Sequence, residues 1–266
     1  MVKKPTSIMK VAVLITGQLR DYKINCLNHV KHLIEPNQAD VFVYACTTNT
    51  IHSCGQSLEQ KYYRTAEYSK DEIVTSVNQI YGKYLKKVEV DDNEKLTEDD
   101  FGTLGYFRTR MQNQIDNIGK GFSMAKAYNS YDVIVRCRPD NSMYLKPVIV
   151  SSYDFPDDKI YSTIFTPSGH RDLCFFAMSN TQTFEKYCAY KYLEGEDPNR
   201  RDSNFLCTEH AWEEYLIKNG VNVQYIEDIC RPFTQFDKST KISEFPYRNS
   251  NEKLVDHHGN WVDQVV

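Results

Sequence analysis

The sequence predicts an α/β protein with a mixed, mainly parallel sheet that is flanked by helices. Two short apolar runs rich in β-branched residues, 10–16 (KVAVLIT) and 39–47 (ADVFVYACT), have the composition of strands that are buried on both faces. Between them, residues 21–34 carry apolar side chains at helical spacing, and Pro36 is expected to end that helix. A strand, a helix and a second strand of these lengths form the crossover unit that joins neighbouring parallel strands.

The next elements continue this alternation. Residues 71–81 are predicted to form a helix with Ser69 as its N-cap, and residues 83–90 are predicted to form the third strand. The acidic stretch 91–100 (DDNEKLTEDD) is expected to be a solvated loop, because no apolar run anchors it to a core.

A long helix and a fourth strand lead to the most polar cluster of the chain. Residues 107–128 place apolar side chains along one helical face, although Gly119 and Gly121 weaken the centre of this helix. The strand 131–137 (YDVIVRC) follows, and Pro139 favours an extended exit from it. The polar residues that come next therefore follow the carboxyl end of a buried strand.

The second half of the chain is predicted to complete the sheet. The expected elements are strands at 159–165, 173–178 and 221–226, helices at 181–192 and 208–219, an exposed loop at 193–203 and a polar tail at 231–266.

Composition favours an enzyme-sized globular protein and disfavours nucleic acid or a membrane as a partner. The 266 residues are enough to bury a full core in one domain, and the formal net charge is -4. Lysine and arginine are scattered rather than gathered into a run that would follow a phosphate backbone. No stretch approaches the roughly 18 apolar residues of a transmembrane helix, and the N-terminus does not resemble a signal peptide, so we expect a cytoplasmic protein. The 8 cysteines include no C-x-x-C pair, which favours buried free thiols over disulfides or zinc.

Three polar clusters follow or separate predicted strands, and ligands of open α/β sheets bind outside the carboxyl ends of strands. The clusters are GQLR with Gly17, Gln18 and Arg20, RPDN at 138–141, and GHRD at 169–172. The chain has neither a G-x-G-x-x-G after the first strand nor a G-x-x-x-x-G-K-[ST] loop, so the usual dinucleotide and P-loop signatures are missing. Gly17 would still permit close approach of a nucleotide, and Arg20 could pair with a phosphate. Alternatively, Arg20 pairs with Asp21 or Asp40 in a structural role.

Arg136, Arg138 and Asp140 alternate along the fourth strand and its exit, so their side chains are predicted to share one face. Two guanidinium groups and a carboxylate would then occupy a confined space. Two interpretations remain open: a buried ion-pair network, or a site in which Asp140 holds a divalent metal beside arginines that bind phosphate.

The combination of GQLR after the first strand with YDVIVRCRPD further on resembles a set of GT-A-type glycosyltransferases from large algal viruses (chlorovirus-like) and from bacterial surface-polysaccharide clusters. The resemblance covers about residues 10–226 in the order of elements. It implies a GT-A-like, Rossmann-like fold and a strand-ending D-x-D motif whose divalent cation, Mn2+ or Mg2+, bridges the two phosphates of a nucleotide sugar. Asp140 matches the position of that motif, whereas Cys137 and Arg138 stand where a second acid is expected.

An inverting enzyme of this kind needs a carboxylate base for the acceptor hydroxyl, and Asp172 and Glu209 are the candidates at element boundaries on the C-terminal side. Asp172 precedes an apolar strand, where acidic residues of similar enzymes approach the donor sugar. Glu209 lies in the first turn of a helix, where it could instead only complement the helix dipole.

The adjacent histidines of the tail, His257 and His258, are the remaining candidates for metal or phosphate contacts. The resemblance implies that His257 could contribute a metal ligand or a phosphate contact from the tail, although adjacent histidines in a polar tail are more often exposed to solvent. His29 and His32 lie one turn apart on the first helix and are expected on the surface.

The resemblance implies transfer of a sugar from a nucleotide diphosphate sugar to a glycan or glycoprotein acceptor. The common pairing among similar enzymes favours a UDP-sugar, and a GDP-sugar is possible. We expect one domain, 1–266, in which about 10–141 bind the donor and about 142–230 bind the acceptor. The alternatives are a sugar nucleotidyltransferase, whose glycine- and lysine-rich phosphate loop is missing from GQLRDYK, and a non-catalytic carbohydrate-binding protein, which the 19 tyrosines would suit.

Overall fold

A computed structural model of the chain describes residues 9–19, 22–47, 50–52, 62–64, 68–91, 104–139, 143–144, 146–165, 170–191, 208–227, 229–231, 247–248 and 254–255. The α-helices are α1 (Tyr22–His29), α2 (Glu35–Asn37), α3 (Lys70–Tyr81), α4 (Leu104–Tyr128), α5 (Thr181–Cys188) and α6 (Thr208–Lys218). A π-helical turn (Val30–Ile34) joins α1 to α2, and 3-10 turns occur at Gly82–Tyr84 and Val150–Ser152. The strands are β1 (Val11–Gln18), β2 (Asp40–Cys46), β3 (Thr50–His52), β4 (Tyr62–Arg64), β5 (Leu85–Asp91), β6 (Val133–Cys137), β7 (Met143–Tyr144), β8 (Lys159–Phe165), β9 (His170–Asn180), β10 (Asn222–Glu227), β11 (Cys230–Arg231), β12 (Tyr247–Arg248) and β13 (Leu254–Val255).

One seven-stranded sheet has the strand order β10-β8-β9-β6-β1-β2-β5. The strands β5, β2, β1 and β6 are parallel neighbours, and β10 is parallel to β8. The strand β9 runs antiparallel to both β6 and β8. The predicted fold class, a mixed and mainly parallel sheet flanked by helices, is therefore confirmed. Three two-stranded pairs, β11-β7, β12-β13 and β3-β4, are separate from this sheet.

Side chains of the first strand alternate between two cores on the two faces of the sheet. Val11, Val13 and Ile15 belong to a core that includes residues of α1 and α3. Ala12 and Leu14 belong to a second core that includes residues of α4, α5 and α6. Burial on both faces is the physical reason why β1 is a continuous apolar run rather than an alternating one.

The first helix ends at Asn37, one residue after Pro36 and close to its predicted end. Proline has no N–H group, and its ring crowds the carbonyl of the residue four positions earlier, which is His32. The π-helical turn Val30–Ile34 includes that residue. The His32 carbonyl accepts a hydrogen bond from Val148 N at 2.8 Å instead. The helix therefore accommodates the proline by widening one turn.

The helix α3 begins behind the predicted cap, Ser69. The Ser69 hydroxyl accepts a hydrogen bond from Glu72 N at 3.3 Å, and the Glu72 carboxylate accepts one from Ser69 N at 2.8 Å. This reciprocal pair is a capping box, which satisfies backbone donors that the first turn leaves open. The strand that follows α3 extends to Asp91, which was expected in the solvated loop.

The helix α5 ends at Cys188, before its predicted end at 192. Tyr190 leaves the helical path and stacks on Trp212 of α6, with ring centroids 5.6 Å apart. Packing against a distant helix therefore overrides the local helical pattern of this segment.

The helix α4 crosses β1 at Gly121. A β-carbon built at Gly121 would lie 2.8 Å from Thr16 Cγ2 and 3.9 Å from Leu14 Cβ, so the absent side chain permits the close approach. Nothing lies within 4 Å of a β-carbon built at Gly119. Neither α4 nor any other helix in the described ranges is long and apolar enough to span a membrane.

Six cysteines within the described residues are free thiols, and five of them are buried. Burial raises the pKa of Cys137 to about 12, so this thiol stays protonated and behaves as a small apolar side chain. Cys54 and Cys207 lie outside the described residues.

Candidate functional site

The sheet has a topological switch point between β1 and β6. From β1 the chain moves to β2 and then to β5 on one side, and α4 then returns it to β6 on the other side of β1. From β6 the chain continues away from β1, toward β8 and β9. Connections that leave two adjacent strands in opposite directions open a crevice at their carboxyl ends, where open α/β sheets bind ligands.

The ends of two predicted polar motifs meet at this switch point. Ile15 pairs in register with Cys137, and a β-carbon built at Gly17 would lie 3.6 Å from Pro139 Cδ. Gly17 has a φ angle of 132°, which L side chains rarely adopt. Gln18, the last residue of β1, is half-buried. Gly17, near the end of β1, and Pro139, after β6, therefore lie close together at the carboxyl ends of two adjacent strands.

Arg136 in β6 and Arg138 directly after it have different surroundings. Arg136 is 0% exposed and pairs in register with Leu14 of β1 and Ala177 of β9. Neither its Nε nor its Nη1 has a hydrogen-bond partner within the described part of the chain. Arg138 is half-buried, and its guanidinium carbon lies 5.1 Å from the centre of the Phe175 ring. The described residues thus offer no support for a buried ion-pair network around Arg136.

The strand β9 contains a bulge beside the crevice. Ala177 pairs with Ser162 of β8, but the next residue of β8, Thr163, pairs with Asp172. Residues 173–176 therefore have no register partners in β8, although the Ser162 hydroxyl of β8 donates to Phe176 O at 2.8 Å. Bulges bend a strand and redirect nearby side chains, and they are common beside active sites. The GHRD segment is thus separated from the regular part of β9 by an irregularity of the backbone.

Tyr187 of α5 holds this bulge and connects it to α6. The Tyr187 hydroxyl donates to Leu173 O at 2.7 Å inside the core, and the Tyr187 carbonyl accepts from Trp212 Nε1 at 3.0 Å. The two rings stack with centroids 4.3 Å apart. Asp172 adjoins Leu173 on β9, and Glu209 lies in the first turn of α6. Tyr187 therefore joins β9 and α6, the two elements that carry the candidate bases. The side chains of Asp172 and Glu209 themselves lie outside the described part of the structure.

The C-terminal tail begins beside the segment that follows Asp140. In the antiparallel pair of β11 and β7, Arg231 lies opposite Met143 and Cys230 lies opposite Tyr144. The tail therefore begins next to the segment that follows β6.

Three predicted site residues, Arg20, Asp140 and His257, lie outside the described residues, as does His258. Within the described ranges, no group of three or more His, Cys, Asp or Glu side chains is arranged to hold a metal ion.

The expectation that His29 and His32 lie on the surface is wrong. His29 is fully buried and packs edge-on against Tyr144, with ring centroids 5.9 Å apart. His32 is half-buried, and burial, together with the charge of Lys31, lowers the pKa of its imidazole. These side chains are covered because the segment that includes Tyr144 packs along the first helix, which its local sequence does not reveal.

Two asparagines of this helix, Asn28 and Asn37, bind the same segment and were not among the predicted residues. One signal in the sequence could have found Asn37. It directly follows Pro36, and a proline late in a helix leaves the carbonyl of His32 in need of another donor.

A polar network joins β2 and β5 to α4. The Tyr44 hydroxyl donates to Asp91 Oδ2 at 2.6 Å, and Lys120 Nζ donates to Tyr44 Oη at 2.7 Å and to Asp91 Oδ2 at 2.9 Å. Burial, followed by the hydrogen bond to Asp91, raises the pKa of Tyr44 to about 12. The negative charge of Asp91 is therefore balanced within the protein.

Comparisons with known proteins give structural neighbours only. No protein-family description and no curated protein sequence matches the chain. A glycosyltransferase involved in the glycosylation of the major capsid of PBCV-1 is 10% identical, with a TM-score of 0.41, over 82% of this chain and 81% of that one. The glycosyltransferase GlyE of Streptococcus pneumoniae TIGR4 is 9% identical, with a TM-score of 0.36, over 83% of this chain and 46% of that one. The galactosyltransferase LgtC, solved with donor and acceptor sugar analogs, is 9% identical, with a TM-score of 0.37, over 81% of this chain and 72% of that one.

Proposed function

We propose that the chain is a glycosyltransferase that transfers a sugar from a nucleotide diphosphate sugar to a glycan acceptor. The observation that carries this proposal is the contact between Gly17 and Pro139 at the switch point of the sheet. It supports the proposal because these residues belong to GQLR and RPDN, the motifs on which the resemblance to GT-A-type glycosyltransferases rests. A UDP-sugar is the favoured donor, and a GDP-sugar is the alternative.

Arg136 in β6 and Arg138 directly after it would supply the positive charge that a diphosphate needs. A buried charge without a partner is strongly destabilising, so an anionic ligand near Arg136 would offset the cost of its burial. Arg138, at the carboxyl end of β6, and Arg20, after β1, would bind the phosphates through their planar guanidinium groups. Negative charge grows on the diphosphate as the bond to the sugar breaks, and these groups would stabilise it.

A divalent cation at this site would need ligands from residues that follow β1 and β6. The described residues that end β1 and β6 include no carboxylate. Asp140 is therefore the proposed ligand for Mn2+ or Mg2+, with His257 from the tail as a second ligand. The pairing of Arg231 with Met143 supports this choice, because it starts the tail beside the segment after Asp140. When bound, such a cation would neutralise the leaving diphosphate.

The acceptor hydroxyl must lose a proton, and Asp172 and Glu209 are the proposed bases. We assign the donor to about residues 10–141 and the acceptor to about residues 142–230 of a single domain. Tyr187 supports the pairing of the two carboxylates, because it bonds to β9 and to α6. The expected product has an inverted anomeric configuration, and retention in an NMR time course would leave both residues as binding groups.

Thermal unfolding with UDP, GDP and their sugar derivatives, with and without Mn2+, tests donor binding, since a ligand of the native state raises the apparent Tm. Release of nucleoside diphosphate in the presence of glycan acceptors then tests transfer. We expect a higher Tm with one of the nucleotides and release of its diphosphate. Release of pyrophosphate from a nucleoside triphosphate would indicate a sugar nucleotidyltransferase instead. A Tm shift with glycans alone would indicate a carbohydrate-binding protein.

A further inference from the structure

The side chain of Arg136 enters the core between the sheet and the helices α4, α5 and α6. Its register partners, Leu14 of β1 and Ala177 of β9, both belong to that core, and paired positions of neighbouring strands direct their side chains to the same face. Burial and the charge of Glu185 raise the pKa of the Cys188 thiol on α5, and the charge of Arg136 opposes that rise. The guanidinium group therefore carries its charge into the side of the sheet that α4 and α5 cover.

Thr16 of β1 places a second buried polar group on the same side. A β-carbon built at Gly121 would lie 2.8 Å from Thr16 Cγ2, so Thr16 faces α4 and its methyl group contacts the helix. Because Arg136 is level with Leu14, Thr16 is the diagonal neighbour of Arg136 on the adjacent strand. Diagonal neighbours on one face of a sheet lie about 7–8 Å apart, which is within reach of a long side chain such as arginine.

Both side chains bury hydrogen-bonding atoms that have no partner among the residues that the structure describes. These atoms are Arg136 Nε, Arg136 Nη1 and Thr16 Oγ1, on side chains that are 0% and 1% exposed. A buried polar group without a partner costs the free energy of its desolvation, and the cost is larger for a charged group. Valine has the shape of threonine and would fill the same space without that cost. Folded proteins seldom retain such groups unless something else satisfies them.

Two carboxylates on this side of the sheet pair with lysines instead of Arg136. Asp91 Oδ2 lies 2.9 Å from Lys120 Nζ, and Glu185 Oε1 lies 2.8 Å from Lys126 Nζ. Each negative charge is therefore already balanced and does not neutralise the guanidinium group.

The helix α4 carries a further hydrogen-bond donor of this kind, nearer the carboxyl ends of the strands. Gln114 lies seven positions before Gly121, so about two helical turns place it on the same face of α4, about 10 Å along the axis. The helix joins the parallel strands β5 and β6 and runs antiparallel to them, and Asn117 Nδ2 donates to Cys46 Sγ, at the end of β2, at 3.6 Å. Gln114 Nε2 is buried and has no partner in the described part of the chain. The unpaired hydrogen-bond donors thus extend from the core toward the edge where open α/β sheets bind ligands.

We propose that Arg136, Thr16 and Gln114 form a phosphate-binding site between the sheet and α4. Guanidinium and amide nitrogens only donate hydrogen bonds, so the ligand must accept them, and the buried charge of Arg136 requires an anion. Donors from three separate side chains suit a phosphate group, which has three acceptor oxygens, better than a carboxylate, which has two. Binding at this site needs no metal. Its use for a phosphate of the nucleotide sugar rests on the proposed function, to which it adds Thr16 and Gln114 as binding residues.

The test removes the hydrogen-bond donors one at a time with Arg136→Met, Thr16→Val and Gln114→Met. Thr183→Val is the matched control, because Thr183 is also buried but its hydroxyl donates to Asp157 O at 2.7 Å. Calorimetry in the presence of EDTA measures the affinity for inorganic phosphate, UDP and GDP, with uridine and guanosine as uncharged references. Thermal unfolding measures the Tm without ligand.

We expect each of the three substitutions to lower the affinity for the bound anion by about tenfold or more, as is typical when a hydrogen bond to a charged group is lost. Arg136→Met and Thr16→Val should also raise the Tm without ligand, because each removes a buried group that has no partner. Thr183→Val should do the reverse, with a lower Tm and unchanged affinity. Opposite effects on stability and affinity are what a merely structural role would not produce.

Parent-like affinity for phosphate and for both nucleotides in folded Thr16→Val and Arg136→Met would overturn the site, as would a parent protein that binds none of these anions without metal. If Arg136→Met does not fold, Thr16→Val decides, because valine keeps the shape of threonine. Binding of inorganic phosphate without affinity for UDP or GDP would assign the site to a free anion instead of the nucleotide sugar. Glycosyl transfer by a parent protein whose Thr16→Val variant binds like the parent would reject the site and leave the proposed function. Nucleotide binding that is lost in Thr16→Val, without transfer to any glycan acceptor, would reject the function and leave the site.

Discussion

Pro139 lies beside Gly17, such that a β-carbon built at Gly17 would be 3.6 Å from Pro139 Cδ. This distance is an ordinary van der Waals contact, so space alone does not require glycine there. The requirement comes from the backbone, because Gly17 has a φ angle of 132°. The closeness of Gly17 and Pro139 brings the carboxyl ends of β1 and β6 together at the switch point.

Gly17→Ala should therefore destabilise the protein by about 1–3 kcal/mol, the usual cost of a strained backbone conformation, and should weaken nucleotide binding. Gly220→Ala is the control, because Gly220 has a φ angle of 72° and nothing within 4 Å of its β-carbon position. Chemical denaturation should show a loss of stability in both variants, and calorimetry should show weaker UDP or GDP binding in Gly17→Ala alone. Parent-like nucleotide affinity in folded Gly17→Ala would contradict a donor site at this turn.

Two glycines of α4, Gly119 and Gly121, should respond to alanine in opposite directions. A methyl group at Gly121 would overlap with Thr16, so Gly121→Ala should cost about 1–3 kcal/mol of the free energy of unfolding. Gly119 has open space, so Gly119→Ala should add about 0.5–1 kcal/mol through its helix propensity. Urea denaturation measures both, and equal effects would contradict the crossing of α4 over β1 at Gly121.

Local sequence patterns predicted most of the sheet. The strands β1 and β2 contain long apolar runs and β6 contains a shorter one before Arg136, and such runs are set by residues next to each other in the chain. Gly17 and Pro139 lie close together because both stand at the carboxyl ends of parallel strands, Gly17 within the last two residues of β1 and Pro139 after β6.

Long-range contacts explain what the sequence did not predict. The first helix contains a π-helical turn before Pro36, where Val148 from a distant segment satisfies the carbonyl of His32. The β9 bulge depends on Tyr187, whose hydroxyl pairs with a carbonyl 14 residues earlier. Arg136 is completely buried and pairs in register with Leu14, which belongs to the core that includes residues of α4, α5 and α6; alternation along a strand contains no information about such packing.

Tyr187→Phe should destabilise the protein and lower turnover. It leaves the buried Leu173 carbonyl without its donor, which typically costs about 1–3 kcal/mol. The bulge beside Asp172 should then lose its fixed geometry, which lowers kcat more than it changes KM. Thr183→Val is the control, because the Thr183 hydroxyl donates to Asp157 O at 2.7 Å. Asp157 precedes β8, at the end of the sheet opposite to the carboxyl ends of β1 and β6. A parent-like kcat in Tyr187→Phe with reduced stability would restrict Tyr187 to a structural role.

The network of Tyr44, Asp91 and Lys120 predicts a loss of stability at high pH. The pKa of Tyr44 is raised from 10.0 to about 12 in the folded protein, so the unfolded protein loses this proton first as the pH rises. Its contribution to stability is complete below about pH 10 and is lost as the pH rises toward 12. Urea denaturation between these pH values should show a shrinking difference between the parent protein and Tyr44→Phe. A constant difference across that range would contradict the raised pKa.

Asp140→Asn tests the central claim most directly, because the substitution keeps the size and hydrogen bonding of the side chain and removes the charge that a cation needs. Calorimetry with UDP and GDP, with and without Mn2+, and the free energy of unfolding without ligand are measured on the same preparation. The account predicts that the variant loses Mn2+-enhanced nucleotide binding and transferase activity, while its stability without ligand stays the same or rises. A loss of stability on the order of 3 kcal/mol, as expected when one partner of a buried ion pair is removed, together with full nucleotide affinity in the folded fraction, would contradict it.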